Sequence, residues 1–230
     1  MSSSSSSAAA RAGATGVAIA GLLIALGGVL HPRVDTSVGF EQGLAGMFES
    51  SVWAASHGLT MAGFAALAAS LAVLARGWTP VLRVIGFVAA AATAFAAIES
   101  VPHLLAATDA AAIRRGDATP LADLHTALQA VSTPAVGLSL AALAVAGTRS
   151  GALDGGLAPT ALAVVGGLAY AVAGPAIAIS QSSEPSPLFV GSAGLALWAV
   201  VAGVRTRRRL GRDATAGRAL HLAPAAEQAR

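Results

Sequence analysis

Four histidines and one glutamate, all within or beside apolar segments, are the residues of this chain best suited to chemistry. Glu99 and His103 lie four residues apart in the stretch AIESVPHLL, a spacing that puts both side chains on one face of a helix. His31, His57 and His125 belong to three other apolar segments. Imidazoles together with a carboxylate are typical ligands of copper, zinc and iron. The sequence therefore predicts a transition-metal site formed by Glu99 and these four histidines.

His57 and His125 form a pair that also suits a different cofactor, haem b. Each lies about five residues into its apolar segment. Two histidines that project from different helices at similar depth can hold a haem iron between them. The choice between haem b and a bare metal ion stays open at this point.

Glu99 lies inside an apolar segment, where an acidic side chain costs about 2.5–3.5 kcal/mol on insertion scales. Ionisable residues within membrane spans usually serve function, although a protonated Glu99 could also hydrogen-bond between helices. Proton-coupled transport, with Glu99 and the histidines titrating, is therefore a second hypothesis beside redox or metal handling. A non-catalytic accessory or scaffold subunit of a membrane complex is a third. The motifs GxGxxG and GxSxG and the Walker loop are absent, and the sequence leaves open whether the protein is an enzyme.

The composition indicates a protein whose main solvent is the lipid bilayer. Of the 230 residues 55% are hydrophobic and 11% are charged, whereas soluble domains have about 25% charged residues. The chain has no cysteine, which excludes disulfides, thiolate metal ligands and a cysteine nucleophile.

Apolar segments recur along the chain at lengths that can cross a hydrocarbon core about 30 Å thick. They predict an all-α, polytopic integral membrane helical bundle of six transmembrane helices. The predicted spans are 13–31, 52–75, 80–107, 119–147, 157–180 and 187–204.

Three regions are expected along the chain. The low-complexity segment 1–12 is predicted to be disordered, 13–204 forms the transmembrane domain, and 205–230 is a basic cytoplasmic tail. Because the tail directly follows a span, we expect it to bind anionic lipid headgroups rather than nucleic acid. The first span ends without a small-x-small cleavage pattern, so it is expected to be a retained helix rather than a signal peptide. Another membrane subunit is a possible partner.

The arginines predict the orientation of the helices. Eleven of the fourteen lie on one side of the predicted spans, and Arg33, Arg114 and Arg115 lie on the other. Because Arg-rich loops stay in the cytoplasm, we expect a multi-pass plasma-membrane protein with both termini cytoplasmic. The His/Glu cluster then faces outward.

The histidines also suggest a repeat. The first span ends in His31 and the second contains His57, just as the third ends near His103 and the fourth contains His125. This alternation favours parallel helix-hairpin repeats about an axis normal to the membrane. The third hairpin has no histidine in either position and is expected to be structural support.

Overall fold

The chain is all-helical in a computed structural model that describes residues 3–35 and 37–227, with side chains described for 7–35 and 37–215. Within these residues six helices are long and apolar enough to span a membrane, which confirms the predicted helical bundle. Short 3₁₀ turns lie at Ala106–Asp109 and Ser186–Val190. The helices are α1 (Ser3–Leu30), α2 (Phe40–Phe48), α3 (Trp53–Ala75), α4 (Pro80–Leu105), α5 (Ala110–Arg115), α6 (Pro120–Ser150), α7 (Leu157–Ser180) and α8 (Gly191–Glu227).

The first and last helices extend beyond the predicted spans. Helix α1 begins at Ser3, ten residues before the predicted first span. Ala8, Ala9 and Ala10 are strong helix formers and let the apolar helix extend towards its N-terminus. At the other end α8 continues as a helix through Glu227 into the basic tail. Residues 1, 2 and 228–230 lie outside the described part of the chain.

The six spanning helices form a closed ring. Each packs against two neighbours, in the order α1, α3, α4, α6, α7, α8 and back to α1. Glycines permit the closest approaches between helices: a Cβ on Gly167 of α7 would lie 2.6 Å from the carbonyl oxygen of Gly137 on α6. Small residues at such crossings are typical of helix packing in membranes. The ring therefore depends on small residues along most of its length.

The ring consists of three helix hairpins with the same plan. Helix α2 connects α1 to α3, the turn Ala106–Asp109 and α5 connect α4 to α6, and the turn Ser186–Val190 connects α7 to α8. Because consecutive spans alternate in direction, these three connections lie at one end of the ring. We call this end the histidine end, since His31, His57, His103 and His125 lie there.

Helices α2 and α5 pack on each other at the histidine end, and we call this pair the cover. Phe48 of α2 and Ile113 of α5 are buried in a small apolar cluster with Trp53. Glu49, next to α2, forms a two-pronged ion pair with Arg114 of α5, with oxygen–nitrogen distances of 2.6 and 3.0 Å. Hydrogen bonds from Arg114 hold the pKa of Glu49 below its ordinary value. The cover thus belongs to the first two hairpins.

Candidate metal centre

Four helices bring the four histidines into one continuous series of rings. The ring centroids of His31 and His57 are 4.8 Å apart, and those of His57 and His103 are 4.2 Å apart. His103 and His125 are stacked at 3.5 Å with their planes 18° apart. All four histidines of the predicted cluster therefore lie together, two from the first hairpin and two from the second.

His57 is held in a defined tautomer by the backbone of α3. Its Nδ1 lies 2.8 Å from the carbonyl oxygen of Trp53 and 3.0 Å from the Ser56 hydroxyl. A carbonyl oxygen only accepts, so Nδ1 holds the proton and donates it, and Nε2 keeps a lone pair. The Nε2 atom is buried, and none of the described residues offers it a hydrogen bond. Leaving a buried polar atom unpaired costs about 1–3 kcal/mol, so this atom is suited to accept a metal ion.

His31 repeats the arrangement at the end of α1. Its Nδ1 lies 2.7 Å from the carbonyl oxygen of Pro32, which again makes Nδ1 the donor and leaves the lone pair on Nε2. Unlike His57, His31 is exposed to solvent. The series of rings is therefore open at this histidine.

His125 is oriented by a carboxylate instead of a backbone carbonyl. Its Nδ1 lies 2.5 Å from Oε1 of Glu99, and the side chains of the two residues are only 10% and 8% exposed. Metal-binding histidines commonly donate their second nitrogen to a carboxylate, which fixes the ring and increases its basicity as a ligand. Helical spacing placed Glu99 on the face of His103, but its hydrogen-bond partner belongs to the neighbouring helix.

His103 lies in the middle of the series and differs from the other three histidines. Neither of its ring nitrogens has a hydrogen bond to any residue that the structure describes. It contacts His57 on one side and His125 on the other. An imidazole therefore lies between the two residues predicted to hold a haem.

Ligand atoms of these side chains fall into two groups. One nitrogen each of His31, His57 and His103 lie within 4.8 Å of one another, and so do single ligand atoms of Glu99, His103 and His125. Two nitrogens bound to one tetrahedral ion at 2.0–2.1 Å are about 3.4 Å apart. To hold one ion, either group would have to contract from a spread of up to 4.8 Å to about this separation.

Trp53 is a supporting residue that the sequence reasoning missed. Its ring centroid is 3.7 Å from that of His57 and 5.2 Å from that of His103, and its indole nitrogen donates to the Leu104 carbonyl oxygen at 3.1 Å. Its own carbonyl accepts the hydrogen bond from His57. Trp53 precedes His57 by one helical turn, and this spacing is the signal from which its contact with His57 could have been predicted.

Asp109 is a second supporting residue that was missed. Its Oδ2 accepts hydrogen bonds of 2.9 Å from the backbone N–H groups of Leu121 and Ala122 in the first turn of α6. The side chain is buried and comes from the turn before α5. Since α6 begins only one and a half turns before His125, this cap fixes the depth and direction of that histidine.

Comparison of the chain with protein-family models, with curated proteins and with solved structures finds no match. The chemistry of the centre therefore follows from the geometry of its own residues. That geometry consists of four converging imidazoles, three of them with Nδ1 hydrogen-bonded to an oxygen atom.

Proposed function

We propose that this protein binds a divalent transition-metal ion, copper or zinc, at its histidine end, and that it acts in metal handling or redox chemistry at the membrane. One observation supports this proposal above all others. His31 and His57 each direct Nδ1 to a backbone carbonyl oxygen, so each presents Nε2 as a ligand. Histidines that bind a metal almost always have their other ring nitrogen hydrogen-bonded in this way, which fixes the orientation of the ring.

The type of ligand favours copper and zinc. Imidazole nitrogen suits both ions, and copper(II) binds nitrogen sites more tightly than the other first-row divalent ions. The first group, His31, His57 and His103, offers three neutral imidazoles and reaches solvent through His31. A three-histidine site with an open position is a known arrangement for catalytic zinc. We therefore assign the first ion to this group.

Haem b is less favoured by the same geometry. A haem between His57 and His125 would place the porphyrin where the His103 ring contacts both of them. Accepting the haem would require His103 to leave the series of rings. A bare ion has no porphyrin to accommodate, so His103 can stay between the two residues.

We also propose that the histidine end faces outward and that the basic end of α8 contacts the lipid headgroups of the other leaflet. The excess of arginines at that other end supports this orientation. Arg205 pairs with Asp154 at 3.0 Å, whereas Arg207, Arg208 and Arg212 are exposed on the continuation of α8. Exposed cations directly after a span suit anionic headgroups.

The test is a copper(II) titration of the purified full-length chain, followed by the fluorescence of Trp53. Of the three tryptophans, Trp78 and Trp198 lie towards the opposite end, next to the short connections there. Copper(II) at His57 would quench Trp53 strongly because the two rings are 3.7 Å apart. We expect saturable quenching and metal that is retained after desalting. His57→Ala should lower the metal affinity by about 100-fold or more, beyond the effect of outer-shell changes.

The matched control is His221→Ala, which changes the histidine of the tail and should bind as the unchanged chain does. Equal metal binding by His57→Ala and by the unchanged chain would contradict the proposal. A Soret band in the purified protein would instead favour haem. Absence of any bound metal or haem would favour transport or a scaffold role.

A further inference from the structure

We propose that the centre holds two metal ions that share His103 as a bridging imidazolate. The inference rests on the proposed function, because it assigns a second ion next to the first. The first ion takes His31, His57 and His103, and the second takes His103, His125 and Glu99.

The arrangement of ligand atoms supports two positions rather than one. The five side chains form two groups of three, each with its ligand atoms within 4.8 Å, and His103 is the residue the groups have in common. The ligands of one ion must lie close together, within about 4.2 Å at metal–ligand distances of about 2.0–2.1 Å, whereas no group within 4.8 Å takes in more than three of these five side chains. A single ion would therefore leave part of the cluster without metal, whereas two ions use all five side chains.

His103 has the one property that a bridge requires, which is two available ring nitrogens. In His31, His57 and His125 the Nδ1 atom is already hydrogen-bonded to an oxygen atom. Neither nitrogen of His103 has such a partner among the described residues. His103 also lies between the two groups, in ring contact with His57 and with His125.

The residues present compensate part of the positive charge of two metal ions. The first ion binds one nitrogen of the neutral His103 ring, and the second ion displaces the proton from the other nitrogen to water. The ring then has one negative charge, and the buried Glu99 carboxylate has another. Together they cancel half of the charge of two divalent ions, which is needed because burial of uncompensated charge is costly.

Glu99 changes partner in this scheme. In the chain without metal its Oε1 accepts the hydrogen bond from His125. The second ion takes the place of the proton in that hydrogen bond, and the proton moves to Nε2 of the same ring, so that Nδ1 of His125 and the carboxylate of Glu99 become ligands of one ion. Two histidines and one carboxylate then surround that ion and leave positions open, an arrangement also used by non-haem iron sites.

The experiment is a titration of the full-length chain with copper(II), with bound copper counted after desalting and unpaired spins counted by electron paramagnetic resonance. An imidazolate bridge couples the spins of two copper(II) ions antiferromagnetically. We expect two coppers per chain, with a spin signal that rises up to one equivalent and falls towards zero as the second binds. Glu99→Gln should retain one copper with a full spin signal, since Gln lacks the charge. Its matched control, Glu184→Gln on an exposed turn, should behave as the unchanged chain.

The copper count separates this inference from the proposed function. One copper per chain in the unchanged protein would overturn the two-ion centre and leave the first site standing. Two coppers with two full spins would overturn the bridge. No retained copper would contradict the inference and the proposed function together. The unchanged chain decides all three outcomes, even if a variant fails to fold.

Discussion

The first two hairpins and the third hairpin close the same ring but differ at the histidine end. The first two contain all four histidines of the cluster, the buried Glu99 and the cover of α2 and α5. The third is joined by the turn Ser186–Val190, which has no buried residue, and it has no histidine between 157 and 204. Its helices pack through glycines, as at Gly166 and Gly191, where a Cβ would meet backbone atoms of the facing helix.

This difference separates the residues that pack the helices into a ring from the residues that form the metal centre. Small residues and apolar surface suffice for the third hairpin to pack as closely as the others. The buried polar groups of the first two hairpins are therefore not needed to form a spanning hairpin. Burying these polar groups costs free energy, and we infer that they are present because they bind metal.

The largest effect is expected from a substitution in the first hairpin, which should make its histidine end resemble that of the third. His57→Ala removes the nitrogen that is buried without a partner, so we expect metal affinity to fall by about 100-fold or more, beyond the 10–100-fold typical of outer-shell changes. Thermal stability without metal should fall, because loss of the buried ring leaves a cavity beside Trp53, although an unsatisfied buried atom is lost with it. Isothermal titration with zinc and thermal unfolding measure the two effects.

The matched change in the third hairpin is Gln181→Gly, at the residue that follows α7 as His31 follows α1. Its backbone has φ 49°, a conformation that glycine adopts readily. Metal affinity should be unchanged. A loss of affinity comparable with that of His57→Ala would show that the third hairpin belongs to the site.

The second prediction concerns the packing of the helix ring and not the metal centre. Gly167→Ala would place a Cβ 2.6 Å from the Gly137 carbonyl oxygen and force α6 and α7 apart. Overpacking of this kind costs about 1–3 kcal/mol, so thermal stability should fall while the folded fraction still binds metal. Gly28→Ala in α1 is the control, since no atom of the described part of the chain lies within 4 Å of its added Cβ. Equal stability of the two variants would contradict the close packing of α6 and α7.

The third prediction concerns the cap that positions His125. Asp109→Ala leaves two N–H groups of α6 without their acceptor, which should cost about 0.5–2 kcal/mol of stability. Metal affinity should fall by about tenfold, as for other residues that orient a ligand. Asp117→Ala, at an exposed acid near the same turn, is the control. Full affinity in Asp109→Ala would mean that His125 does not depend on this cap.

The smallest expected effect is the pH dependence of the cover. Because the pKa of Glu49 is lowered by Arg114, the ion pair contributes its full stability above the ordinary glutamate pKa. The contribution is lost as the pH falls through the lower pKa of the folded chain. Amide exchange in α2 should therefore become faster at acidic pH, relative to the intrinsic rate. Glu49→Gln should abolish that dependence, and an unchanged dependence in this variant would contradict the assignment.

The spans could be predicted from the sequence because length and apolarity belong to each segment alone. Observed bounds such as Trp53–Ala75 and Leu157–Ser180 lie within one residue of the predicted ones. The depth of the histidines followed directly from these bounds. The largest differences are at the start of α1 and the end of α8, where the helices continue beyond their apolar segments.

The contacts within the site could not be predicted in the same way. Helical spacing relates residues on one helix, so it paired Glu99 with His103, whereas its bond to His125 depends on how α4 and α6 are rotated against each other. The tautomer of His57 depends on a backbone carbonyl, which has no signal in the residue types. The cover and its Glu49–Arg114 pair join residues 65 positions apart, a distance over which no local pattern extends.

X-ray absorption at the zinc K-edge of the zinc-loaded, full-length chain tests the metal centre most directly. With one equivalent of zinc, we expect three imidazole ligands with zinc–nitrogen distances of 2.0–2.1 Å and the outer-shell scattering typical of histidine rings. His57→Ala should lose one of these rings. A shell of oxygen ligands without imidazole scattering, or the same spectrum with and without His57, would contradict the assignment of these histidines as metal ligands.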